Sequence, residues 1–192
     1  MSTDKIGLGI VTCGRPRFFS ECIGSILDTH RSILDEIVVV NDDKSQIDMF
    51  KEVKYIMNKK NIGVGKSKNK IIKHLMKAGC DHIFLIEDDV IFRSTEVLSN
   101  YIKLSRVSGV KHLNFCLHGE DNKLNGAPAA KLIVDYGDDV KMSLFHNVYG
   151  ALSYYHRSVI DEIGEMDKRY INAMEHVDHT MEAIQKGLHP PF

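Results

Sequence analysis

Apolar runs and amphipathic stretches alternate along the first ninety residues. Residues 6–12 form a continuous apolar run that stops at Cys13-Gly14-Arg15-Pro16. Pro16 suits the first turn of a helix, and Phe18, Cys22 and Ile26 follow at helical spacing, as do Phe19, Ile23 and Leu27. A second run, Ile37-Val38-Val39-Val40, ends in Asn41-Asp42-Asp43. Residues 53–57 predict a third, short strand, with room for a helix before it. Residues 61–65 read as a loop. Residues 66–78 read as a helix whose apolar stripe is Ile71, Ile72, Leu75 and Met76, with Gly79 as its C-cap. Residues 82–86 are a strand that runs into Glu87-Asp88-Asp89. The order is β-α-β-(α)-β-α-β. Near-continuous apolar strands alternating with helices imply an α/β fold, its mainly parallel sheet covered on both faces.

The second half has a different rhythm. Residues 94–105 predict a helix and 111–117 a strand. Residues 132–136 and 140–145 predict a hairpin across Gly137-Asp138-Asp139. Residues 148–155 predict another strand, and 157–163 a short helix ended by Gly164. Residues 174–186 predict the last helix. Its apolar stripe would be Met174, Val177, Met181 and Ile184, with Glu175, Asp178, His179 and Glu182 on the opposite side, where a solvated face fits Glu182 and His179. We expect one domain over residues 1–192, with a ligand-binding half over 1–92 and a smaller mixed half over 93–192.

Composition narrows the classes. The 192 residues suit one domain, and 43% hydrophobic with 27% charged residues is a globular balance. A formal net charge of -1 supplies no global attraction to nucleic acid or anionic membrane. No apolar run reaches the ~18 residues of a membrane span. Cys13, Cys22, Cys80 and Cys116 have neither zinc nor disulfide-framework spacing, so reduced thiols in the cytoplasm are expected. The start, Met1 to Lys5, is too acidic and short for a secretory signal.

In parallel sheets, ligands bind beyond the carboxyl ends of the strands. Three strands here end in polar clusters: Thr12-Cys13-Gly14-Arg15, Asn41-Asp42-Asp43 and Glu87-Asp88-Asp89. Adjacent carboxylates repel one another and are costly to desolvate without a cation among them. A hard divalent ion, Mg²⁺ or Mn²⁺, shared with phosphate, accounts for the acidic triplet; a solvated acidic turn is the plain alternative. Asp42 could accept from a nucleobase or ribose, or cap a turn. Gly65-Lys66-Ser67 is not a P-loop, because Lys60 stands where the first glycine belongs. What remains is a helix start with Lys66, Asn69, Lys70 and Lys73 on one side, suited to a diphosphate. For Lys70 and Lys73 an exposed basic face is the better reading. Glu175, His176, Asp178 and His179 crowd titratable groups into five residues, where a carboxylate could act as general base. His112, His118 and His146 lack ligand spacing and default to surface or satisfied core positions.

Together these segments resemble family 2-type glycosyltransferases of the GT-A fold, over nearly the whole chain. Residues 6–16 look like the first strand and nucleotide loop. Val39-Val40-Asn41-Asp42 looks like the second strand, whose terminal Asp meets uracil or ribose. Asn61-x-Gly63-x-Gly65-x-x-x-Asn69 is similar to the N-x-G-x-x-x-A-R-N segment. Glu87-Asp88-Asp89 resembles the Asp-X-Asp motif. Residues 149–157, with Ile163 to Asp167, resemble the acceptor-side segment and its G-x-x-D turn. Met174-Glu175-His176-Val177-Asp178 falls where the family carries its Glu-Asp base motif.

The resemblance implies a Rossmann-like sheet and metal-dependent transfer of a hexose or pentose from a nucleotide donor, a UDP-sugar first, to a hydroxyl with inversion. By it, Asp89 would be the main ligand of Mn²⁺ or Mg²⁺. Glu87 and Asp88 would contact ribose or donor sugar. Thr12, Cys13, Arg15 and Asp42 would hold the nucleoside, with Asn61, Gly63, Lys66 and Asn69 in the same donor site. Glu175 or Asp178 would be the base, and His176 a metal ligand or orienter. The acceptor could be a glycan, a protein, a lipid-linked sugar or a modified nucleic acid base. Glu-His in place of Glu-Asp, and the end at Phe192 soon after the last helix, depart from the family pattern. A sugar nucleotidyltransferase and a non-catalytic nucleotide-sugar-binding module stay open as alternatives.

Overall fold

The computed structural model describes residues 4–44, 47–117 and 119–191. His118, among the histidines read above, lies outside them, as do Met1 to Thr3 and Phe192. In chain order the first half supplies strand β1 (Ile6–Thr12), helix α1 (Pro16–His30), strands β2 (Glu36–Asn41) and β3 (Lys54–Met57), helix α2 (Val64–Ala78) and strand β4 (His82–Glu87). The second half supplies α3 (Val97–Ser108), β5 (His112–Asn114), the short pair β6 (Lys123–Leu124) and β7 (Ala127–Pro128), and the hairpin β8 (Leu132–Asp135) and β9 (Lys141–Leu144). After these come β10 (Leu152–His156), α4 (Arg157–Ile163) and α5 (Glu175–Gln185).

Six strands form one sheet in the order β3-β2-β1-β4-β10-β5. β1 pairs in parallel with β2 and β4, and β2 with β3, whereas β10 runs antiparallel to β4 and to β5. Both halves therefore build the same sheet. Alternation along β4 explains its two faces. Phe84 and Ile86 pack with α1 and α3, while Ile83 and Leu85 pack with α2 and α4. The expectation of a sheet covered on both sides is met by these two apolar clusters. Gly79 ends α2 at φ 80°, its amide bonded to Leu75 O and Met76 O, as the C-cap reading requires.

Several boundaries differ from the sequence reading. No helix lies between β2 and β3 among the described residues. The predicted strand over 111–117 is confined to β5, and the one over 148–155 begins only at Leu152. The helix read at 94–105 is shifted to α3. α2 starts two residues early, at Val64. The largest correction concerns α5. Its buried side is Glu175, His179, Thr180 and Ala183, whereas Met174 and Met181 are exposed. Val177 and Ile184 of the stripe taken as core are only half-buried, because the sheet edge beneath α5 is itself polar. His112 donates from Nδ1 to Tyr154 O (2.8 Å), and its Nε2 meets Thr180 Oγ1 at 3.2 Å. Asn114 Nδ2 donates to the same hydroxyl at 3.1 Å, and His179 Nε2 donates to Gly164 O at 3.0 Å. Polar groups with fixed partners can be buried at little net cost. His112 is thus a satisfied core histidine, His146 is exposed, and His179 is not on a solvated face.

Candidate functional site

The carboxyl ends of β1, β2 and β4 open into a cavity of about 910 Å³. Thr12, Cys13, Arg15, Asp42, Asn61, Glu87, Asp89, Glu175 and His176 all line it. Of the residues singled out from the sequence, Gly63, Lys66, Asn69, Asp88 and Asp178 do not.

The β2 end is a preorganised loop. Asp42 is buried, and its carboxylate accepts from Asn58 Nδ2 (2.7 Å), Ile62 N (2.9 Å) and Gly63 N (3.0 Å). Asn61 Oδ1 also accepts from Gly63 N at 2.9 Å, and Asn61 Nδ2 lies 3.3 Å from Cys13 Sγ. Gly63 sits at φ 98°, where a side chain would be strained and its Cβ would lie 2.7 Å from Ile171 O. Burial and the nearby Asp43 and Asp42 push the Cys13 thiol up, so it stays protonated.

The start of α2 is not an open anion site. Val64 N bonds Ile171 O at 2.8 Å, while the preceding amides at 62 and 63 bond Asp42. Lys66 is exposed and away from the cavity. Asn69 is buried and clasps Met166, donating to its O at 2.7 Å and accepting from its N at 2.9 Å. Both depart from the donor-contact expectation, since the helix start is docked on the second half of the chain. Lys73 pairs with Glu165 at 3.2 Å with its side chain largely exposed, and the half-buried Lys70 bonds Asn58.

The acidic triplet divides by burial. Asp88 is fully buried. It accepts from Thr12 Oγ1 at 2.6 Å and pairs with Arg15 Nη2. Burial pushes its carboxyl up, against the pull of Thr12 and Arg15. Asp89 is 42% exposed and lies 3.2 Å from Arg15 Nη1. Arg15 thus neutralises two carboxylates, with Phe18 5.5 Å away beneath the guanidinium. Glu87 is partly exposed, its Oε1 3.0 Å from Lys68 Nζ.

α5 supplies the far wall. Glu175 is 1% exposed, its Oε1 2.8 Å from Lys68 Nζ and 3.5 Å from His176 Nδ1. Burial alone would raise its carboxyl, but the His176 contact and the Lys68 charge outweigh it and hold it at about 2. His176, 19% exposed, is the ring of this turn that lines the cavity. Asp178 turns away, at 3.4 Å from the Tyr170 hydroxyl. No group of three His, Cys, Asp or Glu able to hold a metal occurs among the described residues, so His176 is not gathered with Asp89 into a ligand cluster.

With that geometry in place, the family model for glycosyl transferase family 2 matches residues 8–164. The chain belongs to this family. No curated protein matches it in sequence. Its GT-A fold is shared with solved structures. TarS of S. aureus (residues 1–349) aligns with TM-score 0.65 and 15% identity over 93% of this chain and 55% of that one. The mannosyltransferase PcManGT of Pyrobaculum calidifontis, in complex with GDP-Man and Mn²⁺, aligns with TM-score 0.63 and 12% identity over 99% and 67%. TarS with UDP-GlcNAc aligns with TM-score 0.59 and 14% identity over 85% and 48%. The chain thus spans about half the length of the TarS structure. Among the described residues no helix is long and apolar enough to cross a membrane.

Lys68 went unread in the sequence. Two signals mark it. It lies three and four residues before Ile71 and Ile72, on the buried stripe of α2, and it stands where the family 2 segment N-x-G-x-x-x-A-R-N has its arginine.

Proposed function

We propose that this family 2 chain binds a nucleotide-diphosphate sugar in the cavity and transfers the sugar to an acceptor hydroxyl. The observation that carries the reading is the convergence of three strand-end clusters on one cavity that also contains the first turn of α5. The loop organised by Asp42, with Thr12, Cys13 and Asn61, forms the nucleoside end. Glu87 faces ribose or donor sugar. A UDP-sugar is the donor proposed first, a hexose or pentose derivative. The nucleotide sugars in the TarS and PcManGT structures support the class.

Asp89 suits a hard cation. Ions such as Mg²⁺ keep most of their waters and bind through one or two carboxylates plus substrate phosphates. One accessible carboxylate in the cavity fits that demand, so Asp89 would hold Mn²⁺ or Mg²⁺ jointly with the diphosphate. A bound ion supplies Lewis-acid stabilisation of the leaving diphosphate. Arg15 would exchange its carboxylate partners for phosphate oxygens, which a planar guanidinium binds well. On the α5 side, the acceptor's proton passes to the first turn. His176 reaches the cavity there, and Glu175 behind it holds the ring. Transfer is then a single in-line displacement with inversion. The acceptor is a hydroxyl of a glycan, protein, lipid-linked sugar or modified base. The four free cysteines fit a reducing, cytoplasmic setting.

Calorimetry with UDP-sugars and GDP-mannose, with and without Mn²⁺, tests the reading when joined to an assay of nucleoside diphosphate release. We expect Mn²⁺-dependent binding and release above background. Binding without release would make the chain a non-catalytic nucleotide-sugar-binding module. No binding to any donor would end the proposal.

A further inference from the structure

Lys68 is an unusual lysine. Its side chain is 1% exposed, in the first turns of a helix whose other buried side chains are mostly apolar. An ammonium has three donors, and Lys68 spends each on a different part of the cavity wall. One goes to Glu87 Oε1 at 3.0 Å, at the end of β4. One goes to Gly150 O at 3.3 Å, just before β10. One goes to Glu175 Oε1 at 2.8 Å, the first residue of α5. Glu87 and Glu175 are far apart in sequence and belong to opposite halves of the chain. Without Lys68 they would be two carboxylates sharing one small volume, a repulsive arrangement.

Gly150 extends the linkage. A Cβ there would lie 2.7 Å from His176 Cγ and Nδ1, so the His176 ring rests directly on the Gly150 backbone. The backbone that seats the ring and the carboxylate that faces its Nδ1 are therefore both held by the same ammonium. The start of α2 is tied in as well, through Val64 N to Ile171 O.

We infer that Lys68 is a positioning residue for sugar transfer: it fixes the distance between the donor-side carboxylate Glu87 and the acceptor-side turn that carries His176. The inference rests on the proposed transferase function. Lys68 itself, sealed from solvent, does not touch substrate. Its effect is on geometry, and a displacement of about 1 Å at a reacting centre can cost on the order of 100-fold in rate.

The test compares wild type with Lys68→Gln and Lys68→Arg. For each, thermal melting, donor dissociation constant with Mn²⁺, and the kcat and KM for transfer or donor hydrolysis are measured. For Lys68→Gln the expected loss in kcat is on the order of 100-fold, with donor affinity changed far less. Lys68→Arg keeps the charge and guards against a folding failure of the glutamine variant. Its larger, planar fork should restore much of the lost kcat without reaching the wild-type value. Wild-type kcat in both variants overturns the inference. So does a kcat loss that merely follows a fall in melting temperature and donor affinity, which would mark a plain structural brace. A wild type that turns over no donor overturns the transferase reading instead, and this inference with it.

Discussion

The two halves of the chain handle polar residues in opposite ways. In the first half, polar groups collect at the ends of β1, β2 and β4, where they meet the cavity. Ahead of those ends the strands are apolar, apart from Glu36 and His82 where β2 and β4 begin. In the second half, polar groups lie inside the packing. His112, Asn114, Ser153, His179 and Thr180 fill the space between β5, β10 and α5, and His189 covers His112 with ring centroids 4.9 Å apart. The first half gathers most of its polarity at the cavity, with Lys68 and Asn69 as buried exceptions. The second uses most of its polarity as internal bracing, with Glu175 and His176 reaching the cavity. The lesson is that a charged or aromatic polar residue marks a site only when it also borders the cavity, and that is visible only in three dimensions.

The contrast predicts different outcomes for substitutions in each half. Asp89→Ala removes a strand-end carboxylate that is ion-paired to the exposed Arg15. Transfer should fall roughly 100- to 1000-fold while the melting temperature barely moves. A large loss of stability instead would place Asp89 among the braces. Thr180→Val does the reverse. It strips a partner from His112 and Asn114 and should cost about 1–3 kcal/mol in urea unfolding, with donor affinity intact.

Acid should separate the halves as well. Burial lowers His112 and His179, and it lowers His189 from 6.5 to about 4. These rings stay neutral when folded but take protons when unfolded. Their stabilising contribution is complete above pH 6.5 and declines as pH falls toward 4. Glu175, lowered from 4.5 to about 2, keeps its contribution down to about pH 4.5 and loses it only below. Denaturant unfolding from pH 7 to pH 4 should therefore show a decline that His189→Asn makes shallower. A flat profile over that range would refute the bracing role of the histidines. The smallest expected effect is at Arg15. Under the proposed function it would compete with a divalent ion for Asp89, and exposed pairs are worth about 0.2–1 kcal/mol. Arg15→Gln should tighten Mn²⁺ binding, measured without nucleotide, by about two- to fivefold. Weaker Mn²⁺ binding would mean that Arg15 helps to assemble the site.

Legibility in the sequence follows the same divide. The strands at Ile6–Thr12 and His82–Glu87, the α2 cap at Gly79 and the hairpin across 137–139 were all readable, because apolar period and turn chemistry dictate them locally. The gathering of Thr12, Arg15, Asp42 and Asp89 was readable from strand-end placement alone. The role of Asn69 as a clasp on Met166 was not, since its partner lies 97 residues away. Nor was the inward turn of Glu175, which depends on a lysine 107 residues earlier. Periodicity assumes that a buried face is apolar, and α5 breaks that assumption.

The place of β10 in the sheet also bears on how the chain is made. It lies between β4 and β5, yet it is the last of the strands to be synthesised. Until residue 156 has left the ribosome, β4 has one bare edge carrying Ile83, Phe84 and Leu85. An unpaired apolar edge of that kind readily recruits strands from other molecules. A nascent chain that stalls before β10, or a fragment ending near residue 92, should therefore aggregate and call on chaperones, even though its four parallel strands are already complete.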